Sequence, residues 1–271
     1  WLYPEQVVRR AEGDYVNSDT GKNVTVGRSI KMSKSKLNVV DPEGIIDTYG
    51  ADTARLFVLS DSPPERDLEW TDAGIDGAWR FLNRLWRLVV EPAVPFINVG
   101  SPKPKNLSVE VETVLRSIHK TTFAVSEDLD RFRFNKAVAR IRELTNLLEG
   151  LDSSAEGAGW VIRDGFETVI RLIAPIMPHL GEELWAVLGH TSTLATEAWP
   201  PVDESLLQDD NVTVAVQVNG KLRGTLEMPK DTGKKVLETA ALELSSVINV
   251  INGKSIRKVI VVPNRIVNVV I

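Results

Sequence analysis

The stretch Lys31-Met32-Ser33-Lys34-Ser35-Lys36-Leu37-Asn38-Val39-Val40-Asp41-Pro42 decides how this chain is read. Three lysines and two serines fall within its first six residues, and the helix-like run EGIIDTYGADTARLFVL (43–59) follows. A short loop this rich in ammonium groups and hydroxyls suits a polyphosphate. Lysine supplies a mobile point charge, and serine hydroxyls with backbone N–H groups complete the cradle. A Lys/Ser-rich stretch is also what a merely solvated basic loop looks like, so the surrounding sequence has to decide.

Before the loop, Asp19-Thr20-Gly21-Lys22-Asn23 lies between YVNS and VTVG, which predicts a hairpin whose second strand delivers the chain to the loop. After it, Asp41 reads as an N-cap with Pro42 at the first helical position. Ile45, Ile46 and Tyr49 would form the apolar face of a short helix. A second helix is expected over about 51–60, with Asp52 in its first turn and Arg55 placed to pair with it.

Ser62-Pro63-Pro64-Glu65-Arg66-Asp67 is a connector. Thr71 or Asp72 then caps a long helix with Ile75, Ala78, Trp79, Leu82, Leu85, Trp86 and Val89 on one stripe. The spacing assigns Trp79 and Trp86 to core. Arg80, Asn83, Arg84 and Arg87 lie largely on other faces, either solvated or RNA-facing. A second connector, GSPKPKN (100–106), precedes two amphipathic helices, roughly 108–129 and 134–149. Their stripes are Val111, Leu115, Ile118, Thr122, Val125, Leu129 and then Phe134, Ala137, Val138, Ile141, Leu144, Leu148. A turn around Asp152-Ser153-Ser154 leads to a helix over about 160–174, ended by Pro175 and Pro178, and a short helix over 182–188 stopped by Gly189. Consecutive helices with short connections predict an antiparallel bundle. His119 and His179 have no carboxylate at metal spacing, which suits packing or capping, and no metal site is expected.

Beyond Trp199-Pro200-Pro201 and the polar run DESLLQDDN (203–211) the period changes to two. Val212, Val214, Val216 and Val218 alternate with smaller or polar residues, and Asn219-Gly220 is a hairpin signal, because a type I′ turn needs positive φ at both central positions. Lys221–Glu227 is the return strand, Thr232 would cap a helix reaching about Asn249, and strands follow over 256–262 and 266–271. This predicts a ββαββ domain of about 60 residues.

Composition fits a soluble chain of two or three domains. No apolar run reaches the ~18–20 residues of a membrane span. With no cysteine, disulfides and thiolate zinc sites are excluded within these residues. The net charge of −5 is unevenly spread: residues 212–271 hold nine basic and four acidic residues. That asymmetry is either an RNA footprint or a soluble basic surface.

The loop, with its context, resembles the class I aminoacyl-tRNA synthetases, in which KMSKS is the second signature motif. The stretches 34–59, 63–89 (PPERDLEWTDAGIDGAWRFLNRLWRLV), 131–144 (RFRFNKAVARIREL), 174–189 (APIMPHLGEELWAVLG), 214–224 (VAVQVNGKLRG) and 258–271 (KVIVVPNRIVNVVI) are similar to the bacterial leucyl branch of that family. The first signature, of His-Ile-Gly-His type, is absent, and the chain opens on Trp1. The expectation is therefore the C-terminal part of a larger enzyme, inactive alone.

The resemblance implies a multi-domain, mainly α protein. Residues 1–70 would end the catalytic core with the KMSKS loop and contact the tRNA stem. Residues 71–205 would form the anticodon-binding bundle, and 206–271 the small α/β tRNA-binding domain. It implies leucine activation by ATP, with Mg2+ accompanying the nucleotide, and transfer to tRNA(Leu), in a cytoplasmic monomer. Lys31 and Lys34 would be catalytic, within an ATP-binding set of Lys31, Met32, Ser33, Lys34 and Ser35, Lys34 being the principal phosphate contact. Lys221, Arg223, Lys254, Arg257 and Lys258 are the candidates to face tRNA. Leu37 departs from the pattern, standing where relatives often carry Gly or a polar residue, which puts the loop's flexibility in question. The cysteine-rich ending of isoleucyl enzymes, the coiled coil of valyl enzymes and the methionyl enzymes, which lack this tail, fit less well. The rival reading is a tRNA-binding module with no catalytic role.

Overall fold

The computed structural model describes residues 2, 6–10, 14–28, 30–208 and 211–271. They divide into two units, Trp1–Val202 and Asp203–Ile271. Part of the polar run 203–211 lies outside the described residues.

In the first unit, β1 (Val7–Arg9) pairs antiparallel with β2 (Tyr15–Asn17). The hairpin is thus upstream of its expected place. After the turn at Asn17, Asn23 makes an isolated bridge with Val16 and Val24 N bonds Tyr15 O at 2.8 Å, and the described residues of VTVG form no strand. Asn17 explains the turn: its side-chain oxygen accepts from Thr20 N at 2.7 Å and Asp19 N at 3.0 Å, which curls the chain back without a second ladder.

Asp41 caps α1 (Pro42–Tyr49) by accepting from Glu43 N at 3.0 Å, with Pro42 in the first turn. The expected apolar face of α1 is not covered: no residue of α1 is buried, and Ile46 is 45% exposed. The Tyr49 hydroxyl donates to Asp76 at 3.0 Å. That bond to a carboxylate raises the phenol above its ordinary pKa.

α2 (Ala51–Asp61) buries Leu56 and Phe57. Asp52 and Arg55 do not pair with each other. Asp52 accepts from Leu180 N at 2.7 Å and contacts His179 Nδ1 at 2.9 Å, while Arg55 donates to Ile176 O and Pro175 O, each at 2.9 Å. Both side chains therefore serve helix ends elsewhere. Asp52 supplies the N-terminal cap that α7 (Pro178–Val187) lacks at Met177, and Arg55 takes carbonyls left over after α6 (Ala158–Ile173). An ion pair on one exposed helix face is worth only a few tenths of a kcal/mol. A buried carboxylate on an orphan helix N–H is worth more.

Thr71 caps α3 (Asp72–Val90), its hydroxyl accepting from Gly74 N at 3.2 Å. The buried stripe of α3 is Ile75, Ala78, Phe81, Leu85 and Val89. Trp79 and Trp86 are 44% and 37% exposed, so their assignment to core fails. Two apolar stripes run side by side on α3, and the one containing Phe81 faces inward. Arg142 lies over the Phe81 ring at 4.8 Å, and burial lowers its pKa.

α4 (Val109–Asp130), α5 (Phe134–Gly150) and α6 form the centre of the bundle. Val111, Leu115, Ile118 and Val125 on α4 meet Ala137, Val138, Ile141, Leu144 and Leu148 on α5, all essentially inaccessible. Each such large side chain contributes roughly 1.5–3 kcal/mol by leaving water. Arg163, nearly buried on α6, donates to Ile97 O at 2.6 Å and pairs with Glu167 at 2.8 Å. Glu167 also holds His190 at 2.9 Å, and His190 stacks on Trp185 at 3.6 Å.

The second unit is a mixed sheet in the order β4-β3-β6-β5 with helices against it. Its strands are β3 (Asn211–Val218), β4 (Lys221–Pro229), β5 (Lys258–Val262) and β6 (Ile266–Val270). Asn219 and Gly220 both adopt positive φ, 49° and 78°. The single helix expected after Thr232 is two: α8 (Lys234–Glu243) and α9 (Ser245–Ile251), broken where Leu244 turns extended. Thr232 does not cap, since its hydroxyl donates to Pro229 O. The break falls before Ser245-Ser246, hydroxyl residues that favour a helix start over a helix interior. Val214, Val216, Leu237, Ala241, Val247, Val267 and Val269 make its core.

Candidate functional site

The lysine-serine loop is closed on itself by one side chain. Asn38 Oδ1 accepts from Ser33 N at 2.7 Å, and Asn38 Nδ2 donates to Lys31 O at 3.3 Å. Between these points Lys34–Lys36 form a 3-10 turn, with Lys36 N bonding Ser33 O at 3.0 Å. The Ser33 and Ser35 hydroxyls sit 2.9 Å apart. Lys31 and Lys34 are exposed, Met32 is 43% exposed, and no side chain of the 3-10 turn is buried.

The turn ends at Leu37, whose φ of 54° and ψ of 26° are left-handed. That conformation costs a non-glycine residue roughly 1–2 kcal/mol. The departure noticed in the sequence is thus a strained backbone position. The chemistry on offer is two mobile ammonium groups and two hydroxyls on one short turn, open to solvent. Such a set neutralises charge spread over phosphoryl oxygens. Among the described residues, no group of three or more His, Asp and Glu could hold a metal ion.

The second candidate surface belongs to the other unit. Val218 pairs with Lys221 and with Val269, and Lys258 pairs with Val270. The register therefore puts the start of β4 and the start of β5 at the same end of the sheet. Arg257 N bonds Val270 O at 2.9 Å there, and Lys254 lies on the segment leading in. Lys221, Arg223, Lys254, Arg257 and Lys258 are all exposed. Arg223 occupies a β-bulge, skipped between the pairs Gln217↔Leu222 and Val216↔Gly224. Bulges re-aim a side chain out of the regular alternation. Asn219 and Asn268 secure this end: Ile271 N bonds Asn219 Oδ1 and Gly220 N bonds Asn268 Oδ1, each at 3.1 Å.

Residue-type patterns found the loop and the tail cations. They missed Asn38, which holds the loop, and gave Asp52 and Arg55 each other as partners where the structure gives them the α6–α7 corner. Asn38 had no signal in the sequence, since the left-handed backbone of Leu37 beside it shows only in the structure. Asp52 and Arg55 had no local signal, because their partners lie more than a hundred residues away.

Two family models match the chain. One, for class I tRNA synthetases of the I, L, M and V group, covers residues 23–71, and an anticodon-binding domain of tRNA ligase covers 112–238. The latter match extends past Val202 into the second unit. A leucine–tRNA ligase of Paramagnetospirillum magneticum is 60% identical over 271 residues, all of this chain and 31% of that protein. The leucine–tRNA ligase of Rhodospirillum rubrum is 52% identical over the same span. The crystal structure of the ternary complex of Agrobacterium radiobacter K84 agnB2 LeuRS, tRNA and LeuAMS matches 89% of this chain and 30% of that one. Its TM-score is 0.70 at 31% identity. The chain is thus homologous over its whole length to leucine–tRNA ligases, and spans about 31% of the length of these curated relatives.

Proposed function

We propose that this chain, a homologue of the leucine–tRNA ligases throughout its length, supplies the ATP-binding KMSKS loop and tRNA-binding surfaces of such an enzyme. The full-length protein would join leucine to ATP, forming leucyl-adenylate, and pass the leucyl group to tRNA(Leu). In the first step the leucine carboxylate attacks the α-phosphate in line and pyrophosphate leaves. Lys34 stabilises the charge that builds on the phosphoryl oxygens, and Lys31 supports it. Ser33 and Ser35 shape the turn, with Met32 between the two lysines' backbone segments. Mg2+ enters with ATP as part of the substrate. An exposed turn can tighten on the phosphates in the transition state, which is when contacts raise the rate.

In this reading residues 1–70 close the catalytic core, 71–205 serve the anticodon side of the tRNA, and 206–271 touch a separate part of it through Lys221, Arg223, Lys254, Arg257 and Lys258. The leucine pocket lies outside these residues, so the 271-residue chain alone forms no adenylate. The full-length enzyme acts as a cytoplasmic monomer. The observation that carries the reading is the KMSKS turn with both of its catalytic lysines open to solvent.

The test is Lys34→Ala in the full-length protein. Leucine-dependent ATP–pyrophosphate exchange should fall by roughly 10²–10³-fold, the scale of losing one transition-state charge contact. The leucine KM should barely move. Near-normal exchange in the variant would overturn the catalytic reading and favour a tRNA-binding module, which the basic end of the sheet would still serve.

A further inference from the structure

We propose that Asn38 is a positioning residue of the phosphate-binding loop: its carboxamide latches the turn in the shape that presents Lys31 and Lys34, against the strain held at Leu37. The inference rests on the ATP-binding reading above.

Two observations meet here. The first is where the latch bites. The Asn38 amide bonds the carbonyl of Lys31 and the N–H of Ser33, the residue that precedes Lys34. It therefore fixes the backbone on which both lysines are carried, and touches neither side chain. A carboxamide is suited to this, because one planar group offers an acceptor and two donors at fixed separation. Alanine would remove both bonds. Aspartate would keep an acceptor but lose the donor and add a charge beside the lysines.

The second observation is the residue next door. Leu37 is left-handed at φ 54°, and its N–H bonds Lys34 O at 3.2 Å to close the turn. Leucine resists this conformation while glycine adopts it freely. The latched turn is thus opposed by its own neighbour, and the two opposing effects are adjacent in sequence. No side chain of the 3-10 turn is buried to hold it by packing. The loop consequently has two states close in free energy. One is latched with the lysines presented, and the other is unlatched with residue 37 relaxed into an ordinary region. A loop of this kind can release after each turnover and reform on the next nucleotide, which a fully relaxed latch would slow.

The experiment uses the full-length protein with four variants: Asn38→Ala, Leu37→Gly, the two combined, and Lys34→Ala as reference. Pyrophosphate exchange gives kcat and the ATP KM. Hydrogen exchange across the peptide 30–40 reads the Ser33 amide, and thermal unfolding checks the fold. Asn38→Ala should lower kcat about 10–100-fold, the scale of an ångström-sized misplacement of reacting groups. The ATP KM should stay within about twofold and Tm should be unchanged. The loop amides should exchange faster. Leu37→Gly should slow that exchange several-fold, because glycine removes the left-handed penalty. Added to Asn38→Ala, it should restore part of the lost kcat.

The latch is overturned if Asn38→Ala leaves both kcat and loop exchange as they were, or if Leu37→Gly fails to restore any activity in the combined variant. The reference separates this from failure of the underlying reading. If Lys34→Ala is silent, the loop is no phosphate site, and amide exchange alone then judges whether Asn38 holds it.

Discussion

The loop over residues 31–38 and the helices α4–α6 are built on opposite terms. In the loop no side chain of the 3-10 turn is buried, and its shape comes from Asn38 and a few backbone bonds. In the helices Leu115, Ile118, Ile141, Leu144 and Ile170 are essentially inaccessible, and the shape comes from area removed from water. Hydrogen bonds exposed to solvent contribute about 1 kcal/mol each, so the loop can change shape at small cost. A packed core cannot, since each void or overlap is felt across its neighbours. The lysines and serines of the candidate phosphate site thus stand on the part that moves cheaply.

The comparison breaks first at its stiff end. Leu144→Ala should destabilise the first unit by about 2–5 kcal/mol, the range for a large-to-small change in a closed core. Lys34→Ala should change stability by no more than about 0.5 kcal/mol. All seven tryptophans lie in Trp1–Val202, so urea unfolding followed by tryptophan fluorescence reads that unit alone. A stability loss for Lys34→Ala comparable with that for Leu144→Ala would erase the distinction.

Asp52→Ala probes the join between the two regions, since α2 follows the loop and caps the bundle. It leaves the buried Leu180 N–H without its charged acceptor, and should cost about 2–3 kcal/mol in the same assay. A loss below 0.5 kcal/mol, on the scale of an ordinary surface substitution, would mean that water replaces the cap.

The smallest effect concerns a carboxyl that the stiff region tolerates. Burial raises the pKa of Asp164 above 3.8, with Glu167 adding to the rise and His119, Arg171 and Lys103 opposing it. The folded state therefore holds this proton more tightly than the unfolded chain does. Stability from this group falls as pH rises from the ordinary carboxylate value through the raised one, and at neutral pH the whole penalty is present. Asp164→Asn should raise Tm by a few degrees at pH 7, and the gain should vanish below the ordinary value. An unchanged Tm at pH 7 would mean that the opposing groups fully offset burial.

What could be read from the sequence was whatever is decided locally. Asp41-Pro42 announces a capped helix, Asn219-Gly220 a type I′ turn, and the stripes of α4 and α5 a bundle, because each depends on residues within a turn or two. Where two local answers were equally good the reading erred. On α3 the tryptophan stripe and the Phe81 stripe both have helical spacing, and only the packing of α2 and α7 against it chooses between them. Where the partner was distant the local reading erred, as with Asp52 and Arg55, expected to pair with each other and found serving the α6–α7 corner. The candidate site was legible as five letters, yet its support was not. A lone asparagine after the motif carries no periodicity, and its partners are backbone atoms that any sequence would offer.

The cap on α7 also bears on how the chain folds. Leu180 N finds its acceptor 128 residues earlier in the sequence. As the chain is synthesised, α2 is made long before the helix end it will satisfy, and α7 is made with its first turn unfinished. Closing so long a loop is an entropic toll that must be met before the contact gives anything back. The docking of α2 and the completion of the α6–α7 corner should accordingly fall within one late cooperative step, with the earlier helix pair α4–α5 free to form first through neighbours close in sequence.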